Sequence, residues 1–340
     1  MHASILKTLK RYYIFMSENM SFFRKILGFA VFLTLVVIVL GAYTRLSGAG
    51  LGCPDWPGCY GQLSVPDKVT GSDFGRPLEH AKAWKEMIHR YVAGTLGVLI
   101  LIILFMVIKG LPKIRQSISL PVLLLATVIF QALLGMWTVT LLLSPIIVTA
   151  HLMGGMATLS LLWWLFLNQR TNGDKQSLVV SSSSLKFVSV LGLLLVIVQI
   201  FLGGWTSSNY AAVACGVDFP TCASQWWPKM DFINGFDLAH EVGVNYEFGV
   251  LDSPARMAIQ VVHRIGALIV FVYLLGLAFK LLKWYKKLSA ILVFILLLQV
   301  SLGIMNVVFA LPLGVAVLHN LVAALLLLVL LAINHKVFKA

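Results

Sequence analysis

Eight apolar segments, each long enough to cross a bilayer, constrain the fold of this chain more than any other feature. The hydrocarbon core of a membrane is about 30 Å thick, so a spanning helix needs about 20 mainly apolar residues. The chain is 59% hydrophobic and 11% charged, with a mean hydropathy of +0.93. These values exclude an ordinary soluble domain and predict an all-α integral membrane protein. The predicted spans are about 26–46, 87–108, 119–142, 146–167, 185–206, 257–279, 288–310 and 314–334.

The basic residues predict the orientation of the chain. With the N-terminus in the cytoplasm, the Lys and Arg clusters before the first span and after the second, fourth, sixth and eighth spans all fall inside, as the positive-inside rule expects. Representative residues of these clusters are Lys10, Lys109, Arg170, Lys283 and Lys336. The net charge of +13 is therefore a property of the loops, and nucleic acid is not a predicted partner. Both termini are predicted to be cytoplasmic, in a plasma membrane.

The two halves of the chain repeat one another. Matched features recur in the same order: Gly41-Ala42-Tyr43-Thr44 with Gly203-Gly204-Trp205-Thr206, His89-Arg90 with His263-Arg264, Gln131 and Gly135 with Gln299 and Gly303, and His151 with His319. The repeat predicts two tandem pseudo-symmetric four-helix bundles of the same orientation, residues 26–170 and 185–335. A cytoplasmic tail, 1–25, precedes them, and a cytoplasmic linker, 171–184, joins them.

Four histidines lie near the outer ends of the even-numbered spans, namely His89, His151, His263 and His319. Those spans run in the same direction, so all four imidazoles are predicted at a similar depth, towards the outer leaflet. Imidazole is a good iron ligand, and two on neighbouring helices can hold a haem iron from both sides. The pattern therefore predicts one haem site in each bundle. The alternative is a set of hydrogen-bonded packing or relay residues. The other histidines, in tails or loops, are predicted to be solvated: His2, His80, His240 and His335.

Three arginines near these sites are candidate contacts for haem propionates. Arg90 and Arg264 each follow the first histidine of a pair, and Arg45 ends the first span. The guanidinium fork matches a carboxylate geometrically. The alternative is that these side chains extend to the outer membrane interface.

Glu86 is a candidate catalytic residue. It lies three residues before His89, so both side chains project from one helix face. A carboxylate beside an iron site can take up protons during an oxidation. The matching residue in the second half, Gln260, cannot, which predicts chemistry at the first site only. The alternative is a helix N-terminal acid stabilised by the helix dipole.

The four cysteines lie in the two long outer loops, where an oxidising compartment favours disulfides. Three pairings are formally allowed, and the local pairs Cys53–Cys59 and Cys215–Cys222 are the simplest. Two roles are compatible with this placement. One is a structural disulfide that stabilises the loop, and the other is a reducible disulfide that transfers electrons or handles haem. Zinc is not expected, because the spacing is wrong and no loop histidine joins both pairs.

Together these residues resemble the haem A synthase family over about residues 26–334. The motifs that carry the resemblance are Gly41-Ala42-Tyr43-Thr44-Arg45-Leu46, Ser47-Gly48-Ala49-Gly50-Leu51, Trp56-Pro57, Glu86-x-x-His89-Arg90, His263-Arg264 and Leu318-His319-Asn320. The loop cysteines match a bacterial subgroup, which implies a bacterial plasma membrane. The resemblance implies an enzyme that oxidises a ring methyl of haem O to a formyl, giving haem A for cytochrome oxidase assembly.

The resemblance also implies roles for the two sites. Permanent haem b, the cofactor, is expected between His263 and His319, and the haem O substrate between His89 and His151, beside the catalytic Glu86. Implied partners are a haem O synthase and an electron donor and acceptor of unspecified identity, with a homo-oligomer left open. Two rival classes are a di-haem b-type electron carrier that oxidises quinol, and a haem transporter or chaperone.

Overall fold

The chain forms a bundle of long helices. The computed structural model describes residues 2–69, 74–110, 117–169, 182–239, 241 and 243–339, with side chains from residue 21 onward. The helices are α1 (His2–Leu46), α2 (His80–Ile108), α3 (Ser119–Thr140), α4 (Pro145–Asn168), α5 (Ser183–Ser208), α6 (Phe232–Gly235), α7 (Ser253–Leu282), α8 (Lys286–Val308) and α9 (Leu313–Lys339). Eight of them, all but α6, include a stretch long and apolar enough to cross a membrane. Of the predicted linker, 171–184, residues 171–181 lie outside the described residues.

The long helices pack as two equivalent rings. In the first half α1 contacts α2 and α4, and α3 completes the ring between α2 and α4. In the second half α5 contacts α7 and α9, and α8 lies between α7 and α9. Thus α1, α2, α3 and α4 correspond to α5, α7, α8 and α9. The predicted fold class, two tandem pseudo-symmetric four-helix bundles, is confirmed.

The two bundles meet along four helices, α1, α4, α5 and α9. Leucines dominate this region because their flexible side chains fill the space between helices without polar atoms, and Leu159, Leu162 and Leu330 are fully buried. Hydrogen bonds also cross between the halves; in one of them the indole of Trp163 donates to the carbonyl of Leu328 at 2.9 Å. This contact region joins the two bundles into one apolar core.

Three helices begin well before their predicted spans, and α1 extends furthest, since it begins at His2 rather than near 26. Helix α2 begins at His80 rather than near 87, and α7 at Ser253 rather than near 257. Hydropathy detects only the apolar part of a helix, whereas hydrogen bonding continues beyond it. At α7 the carboxylate of Asp252 caps the helix by accepting from the N–H of Ala255 at 3.0 Å. These extensions bring the first turns of α2 and α7 against the outer loops.

Each long outer loop contains a disulfide-closed hairpin. Both predicted local pairs, Cys53–Cys59 and Cys215–Cys222, are bonded. In the first hairpin Asp55 accepts from the main-chain N–H groups of Tyr60 and Gly61 at 2.6 and 2.8 Å. In the second, Asp218 accepts from the N–H of Ser224 at 2.7 Å. The loops therefore repeat with the helices, through a shared Asp-aromatic-Pro-x-Cys sequence that the motif comparison above did not include.

Candidate functional site: two histidine pairs

Each of the four predicted histidines packs against a glycine of the preceding long helix. A Cβ atom built on these glycines would lie 3.0, 3.3, 3.3 and 3.2 Å from the Cε1 atom of the facing ring. The pairs, in that order, are Gly41–His89, Gly135–His151, Gly203–His263 and Gly303–His319. The glycines that recur between the halves thus provide the room that the imidazoles occupy.

The first pair, His89 and His151, faces across the N-terminal bundle. Their ring centroids are 6.5 Å apart and the rings are nearly perpendicular, at 85°. Two imidazoles on opposite sides of one metal, each with a metal–nitrogen bond of about 2 Å, have centroids about 6 Å apart. The Nδ1 atoms of both rings are buried and have no hydrogen-bond partner among the described residues. The spacing of the two rings therefore fits a metal held from two sides.

The second pair, His263 and His319, occupies the equivalent place in the C-terminal bundle. The two rings are close enough to interact electrostatically. Amide groups flank both: the Nε2 of Gln199 lies 3.0 Å from Nδ1 of His263, and the Nε2 of Gln299 lies 3.2 Å from Nε2 of His319. The Nδ1 of His319 is buried without a partner among the described residues. Two neighbouring imidazoles are the ligands that a low-spin haem would take from the protein, so His263 and His319 could hold such a group.

Glu86 is buried, with 5% of its surface exposed, and both carboxylate oxygens are engaged. Oε2 accepts from the main-chain N–H of Cys53 at 3.0 Å, and Oε1 forms an ion pair with Arg90. The carboxylate therefore joins the disulfide hairpin to the helix that carries His89. The matching Gln260 is also buried, at 3% exposure, and its Oε1 has no partner among the described residues. Both homologous positions are enclosed, but only the first is ionisable.

The three arginines predicted to contact propionates differ in how many of their guanidinium nitrogens already have a hydrogen-bond partner. Arg90 donates to main-chain carbonyls of the first hairpin, including that of Asp55 at 3.0 Å, as well as to Glu86. Arg264 donates to the carbonyl of Thr221 at 2.7 Å, while its Nε and Nη2 are buried without a partner in the described part of the chain. Arg45 donates to the carbonyl of Ser207 at 2.7 Å, and its buried Nε likewise has no partner among the described residues. Arg264 and Arg45 retain donors for a carboxylate, and all three contacts stay predictions.

One prediction for the histidines is wrong: His335 is not solvated. It lies on α9, only 7% exposed, with its Nε2 3.0 Å from Oδ1 of Asn168 and its ring edge-on to Trp164. The apolar span was predicted to end at 334, but α9 continues to Lys339 and keeps this residue inside the bundle. Of the other three, His80 is exposed as predicted, whereas the side chain of His2 and all of His240 lie outside the described residues.

Three glutamines beside the histidines were not predicted as site residues. Gln131 and Gln299 were recognised only as repeat markers, and Gln199 was missed, although each lies four residues before a glycine that contacts a histidine ring. That spacing places glutamine and glycine on one helix face. A search for glutamine in this register would have found all three.

A duplicated bundle of eight long apolar helices, with a histidine pair at the same place in each half, defines a polytopic membrane protein built around two equivalent sites. A family profile matches residues 24–331, and the chain belongs to that family, COX15-CtaA, described as cytochrome oxidase assembly proteins. The resemblance inferred from the motifs is confirmed, and so is the assignment to a multi-pass membrane protein.

Relatives of known description support the same family. A protein described as "Heme A synthase" from Shewanella oneidensis is 47% identical over 89% of this chain and 92% of its own length. Another with that description, from Bacillus licheniformis, is 26% identical over 84% of this chain and 86% of its own length. A third, from Shouchella clausii, is 28% identical over 58% of this chain and 62% of its own length.

Proposed function

We propose that this chain is a haem A synthase, which oxidises a methyl group of haem O to a formyl group through successive hydroxylations. The observation that carries the proposal is the pair of neighbouring histidines in each bundle, combined with the ionisable Glu86 at a position where the second bundle has Gln260. The description of the relative that is 47% identical over most of the chain supports it.

The residues of the second bundle fit a permanent haem b. His263 and His319 would ligate its iron, and the unpartnered donors of Arg264 would hold a propionate. When bound, this haem supplies one-electron redox chemistry to the neighbouring bundle. The chain itself contributes the fixed imidazoles and the surrounding apolar helices, which keep water from the ligands.

The residues of the first bundle fit a substrate porphyrin. His89 and His151 would hold its iron, and Glu86, three residues from His89, would receive protons released when the methyl group is oxidised. Arg90 and the N–H of Cys53 fix both oxygens of Glu86, so the carboxylate has a defined position on the helix that carries His89. Haem O is the substrate in this proposal, and a haem O synthase is the proposed source.

The remaining proposals concern the surroundings of the protein. The basic loops favour a bacterial plasma membrane with both termini in the cytoplasm, so the disulfide hairpins face an oxidising exterior. With this orientation, the histidine pairs lie towards the outer leaflet of the membrane. An external electron donor and acceptor complete the reaction.

Expression of the chain with a haem O synthase tests the function directly. The porphyrins extracted from the purified protein are expected to include haem A, identified by mass, in addition to haem b. A double variant, His89→Ala with His151→Ala, is the control and should yield haem b without haem A. Haem b alone in the unaltered protein would favour the di-haem electron carrier, and haem O recovered unaltered would favour a transporter or chaperone.

A helical glycine gives a second test of the haem b site. A Cβ at Gly303 would lie 3.2 Å from Cε1 of His319, whereas a Cβ at Gly276 meets nothing within 4 Å. Gly303→Ala is expected to lower haem b affinity about tenfold, an effect typical of disturbed ligand support. Gly276→Ala should have no effect. Alanine stabilises a helix by about 1 kcal/mol relative to glycine, so a lower haem b affinity of Gly303→Ala cannot result from weaker helix propensity. Equal haem b affinity in both variants would contradict the assignment of His319.

A further inference from the structure

Each histidine belongs to a two-helix unit with the same internal register. In three of the four units a glutamine lies four residues before the glycine that contacts the histidine ring. The units are Gln131 and Gly135 with His151, Gln199 and Gly203 with His263, and Gln299 and Gly303 with His319. In the unit of His89 the glycine is Gly41, and the corresponding residue is Val37. Only His89 therefore lacks an amide in this position.

All three glutamines contact the histidine of their own unit. The Nε2 of Gln131 donates to the main-chain carbonyl of His151 at 2.8 Å. The Nε2 of Gln199 donates to the carbonyl of His263 at 3.0 Å and lies equally close to its ring Nδ1. The Nε2 of Gln299 contacts the ring of His319. The amides thus hold the main chain or the ring of each histidine.

Glycines on the histidine helices make room for two of these amides. A Cβ at Gly154, three residues after His151, would lie 2.3 Å from Oε1 of Gln131, and one at Gly266, three residues after His263, would lie 2.3 Å from Oε1 of Gln199. No side chain larger than hydrogen fits there without displacing the amide. The residue three positions after His89 is Val92, and three positions after His319 it is Val322, so these two units lack the matching space.

The amides also offer what a metal-bound imidazole requires. A histidine that binds a metal through one nitrogen usually donates its other N–H to a fixed acceptor, which sets the ring orientation. The Oε1 atoms of Gln131 and Gln299 are buried and unpartnered among the described residues, as are the Nδ1 atoms of His151 and His319. Among the described residues, each of these units therefore keeps one amide oxygen and one imidazole nitrogen available for a hydrogen bond. A valine side chain offers no acceptor.

We infer that Gln131, Gln199 and Gln299 are positioning residues for three iron ligands, and that His89, which has Val37 in place of glutamine, is the exchangeable ligand. The inference rests on the proposed haem sites and deepens them. The second bundle holds two supported histidines, as a permanent haem needs. The first holds one histidine with an amide in this register and one, His89, that has the main chain of Val37 within reach but no amide, which lets the substrate porphyrin leave after reaction.

Val37→Gln tests this inference by adding the missing amide. The main chain of Val37 lies within hydrogen-bonding reach of His89, so a glutamine there is beside the ring. The full-length protein, purified in detergent and loaded with haem O, is mixed with apomyoglobin, and transfer of the porphyrin gives its release rate. Val37→Gln is expected to slow release about tenfold, the lower end of the range for outer-shell partners. Val37→Leu, of similar size but without an amide, should release haem O at the unaltered rate.

The reverse change, Gln199→Leu, should accelerate release of haem b about tenfold and shift the low-spin electron paramagnetic resonance signal, which reports the orientation of the imidazole rings. Gln199→Glu keeps the length of the side chain but loses the donor to the main-chain carbonyl of His263, so it should also retain haem b less well than the unaltered protein. Equal release rates from the unaltered, Val37→Gln and Val37→Leu proteins would overturn the inference. A chain that makes no haem A but shows the expected release rates would refute the proposed function and leave the positioning roles intact.

Discussion

Replacing either His263 or His319 with alanine is expected to abolish the permanent haem b spectrum. In the proposed site each ring would provide one of the two protein ligands to the haem iron, so the loss of either would leave a site that cannot hold a low-spin iron. Haem b recovered with the purified protein should fall below about one tenth of the unaltered level, since loss of a ligand exceeds the 10- to 100-fold effect of an outer-shell change. The measurement is the reduced-minus-oxidised absorption spectrum per mole of protein.

His335→Ala is the matched control for these variants. His335 lies on α9, like His319, is mostly buried and hydrogen-bonded, but lies near the opposite end of the helix. Its replacement removes a membrane histidine without touching either pair, so haem b content should stay normal. His89→Ala and His151→Ala should also keep haem b, because they belong to the other bundle. Haem b that survives in both the His263→Ala and His319→Ala proteins would place the cofactor elsewhere.

The fold followed from the sequence because a bilayer leaves few structures open to an apolar chain. Backbone groups in lipid must be paired within the segment, so each apolar stretch of sufficient length predicts a helix. The repeated motifs then fixed which helices correspond, and the packing of α1 to α4 and of α5 and α7 to α9 follows that correspondence. The starts of α2 at His80 and of α7 at Ser253 were not predicted, because hydropathy does not detect what determines them. Helix α7 is capped by Asp252, and the first turn of α2 packs against the loop at Gly52.

The histidine pairs were predictable, but the contacts around them were not. Spacing along one helix shows that Glu86 and His89 share a face, yet it says nothing about Cys53, which lies on a separate loop and donates to Glu86. The same holds for Arg90, whose guanidinium binds the first hairpin. Gln199 was missed because its partner His263 is 64 residues away in sequence. Such contacts depend on how loops and helices meet, which local patterns do not specify.

Conversion of Glu86 to glutamine is expected to stop haem A formation while leaving haem b in place. Glutamine has nearly the same shape and still accepts from the N–H of Cys53, so the disulfide hairpin should keep its position. It cannot take up a proton, and loss of a general base typically lowers a rate by a factor of about 100 or more. The ratio of haem A to haem O in extracted porphyrins measures the effect, and the haem b spectrum checks the second site.

Glu79→Gln is the control for charge, because Glu79 precedes the same helix but is exposed, and its carboxylate pairs with Lys82 at 2.9 Å. An exposed ion pair of this kind contributes about 0–1 kcal/mol, so haem A formation should be unaffected. Glu86→Ala adds a further distinction, since it also leaves Arg90 and the N–H of Cys53 without their acceptor and should lower the thermal stability. If Glu86→Gln makes haem A at the normal rate while Glu86→Ala is unstable, Glu86 serves only to fix the hairpin to α2, and the proton acceptor must be sought among other groups near His89.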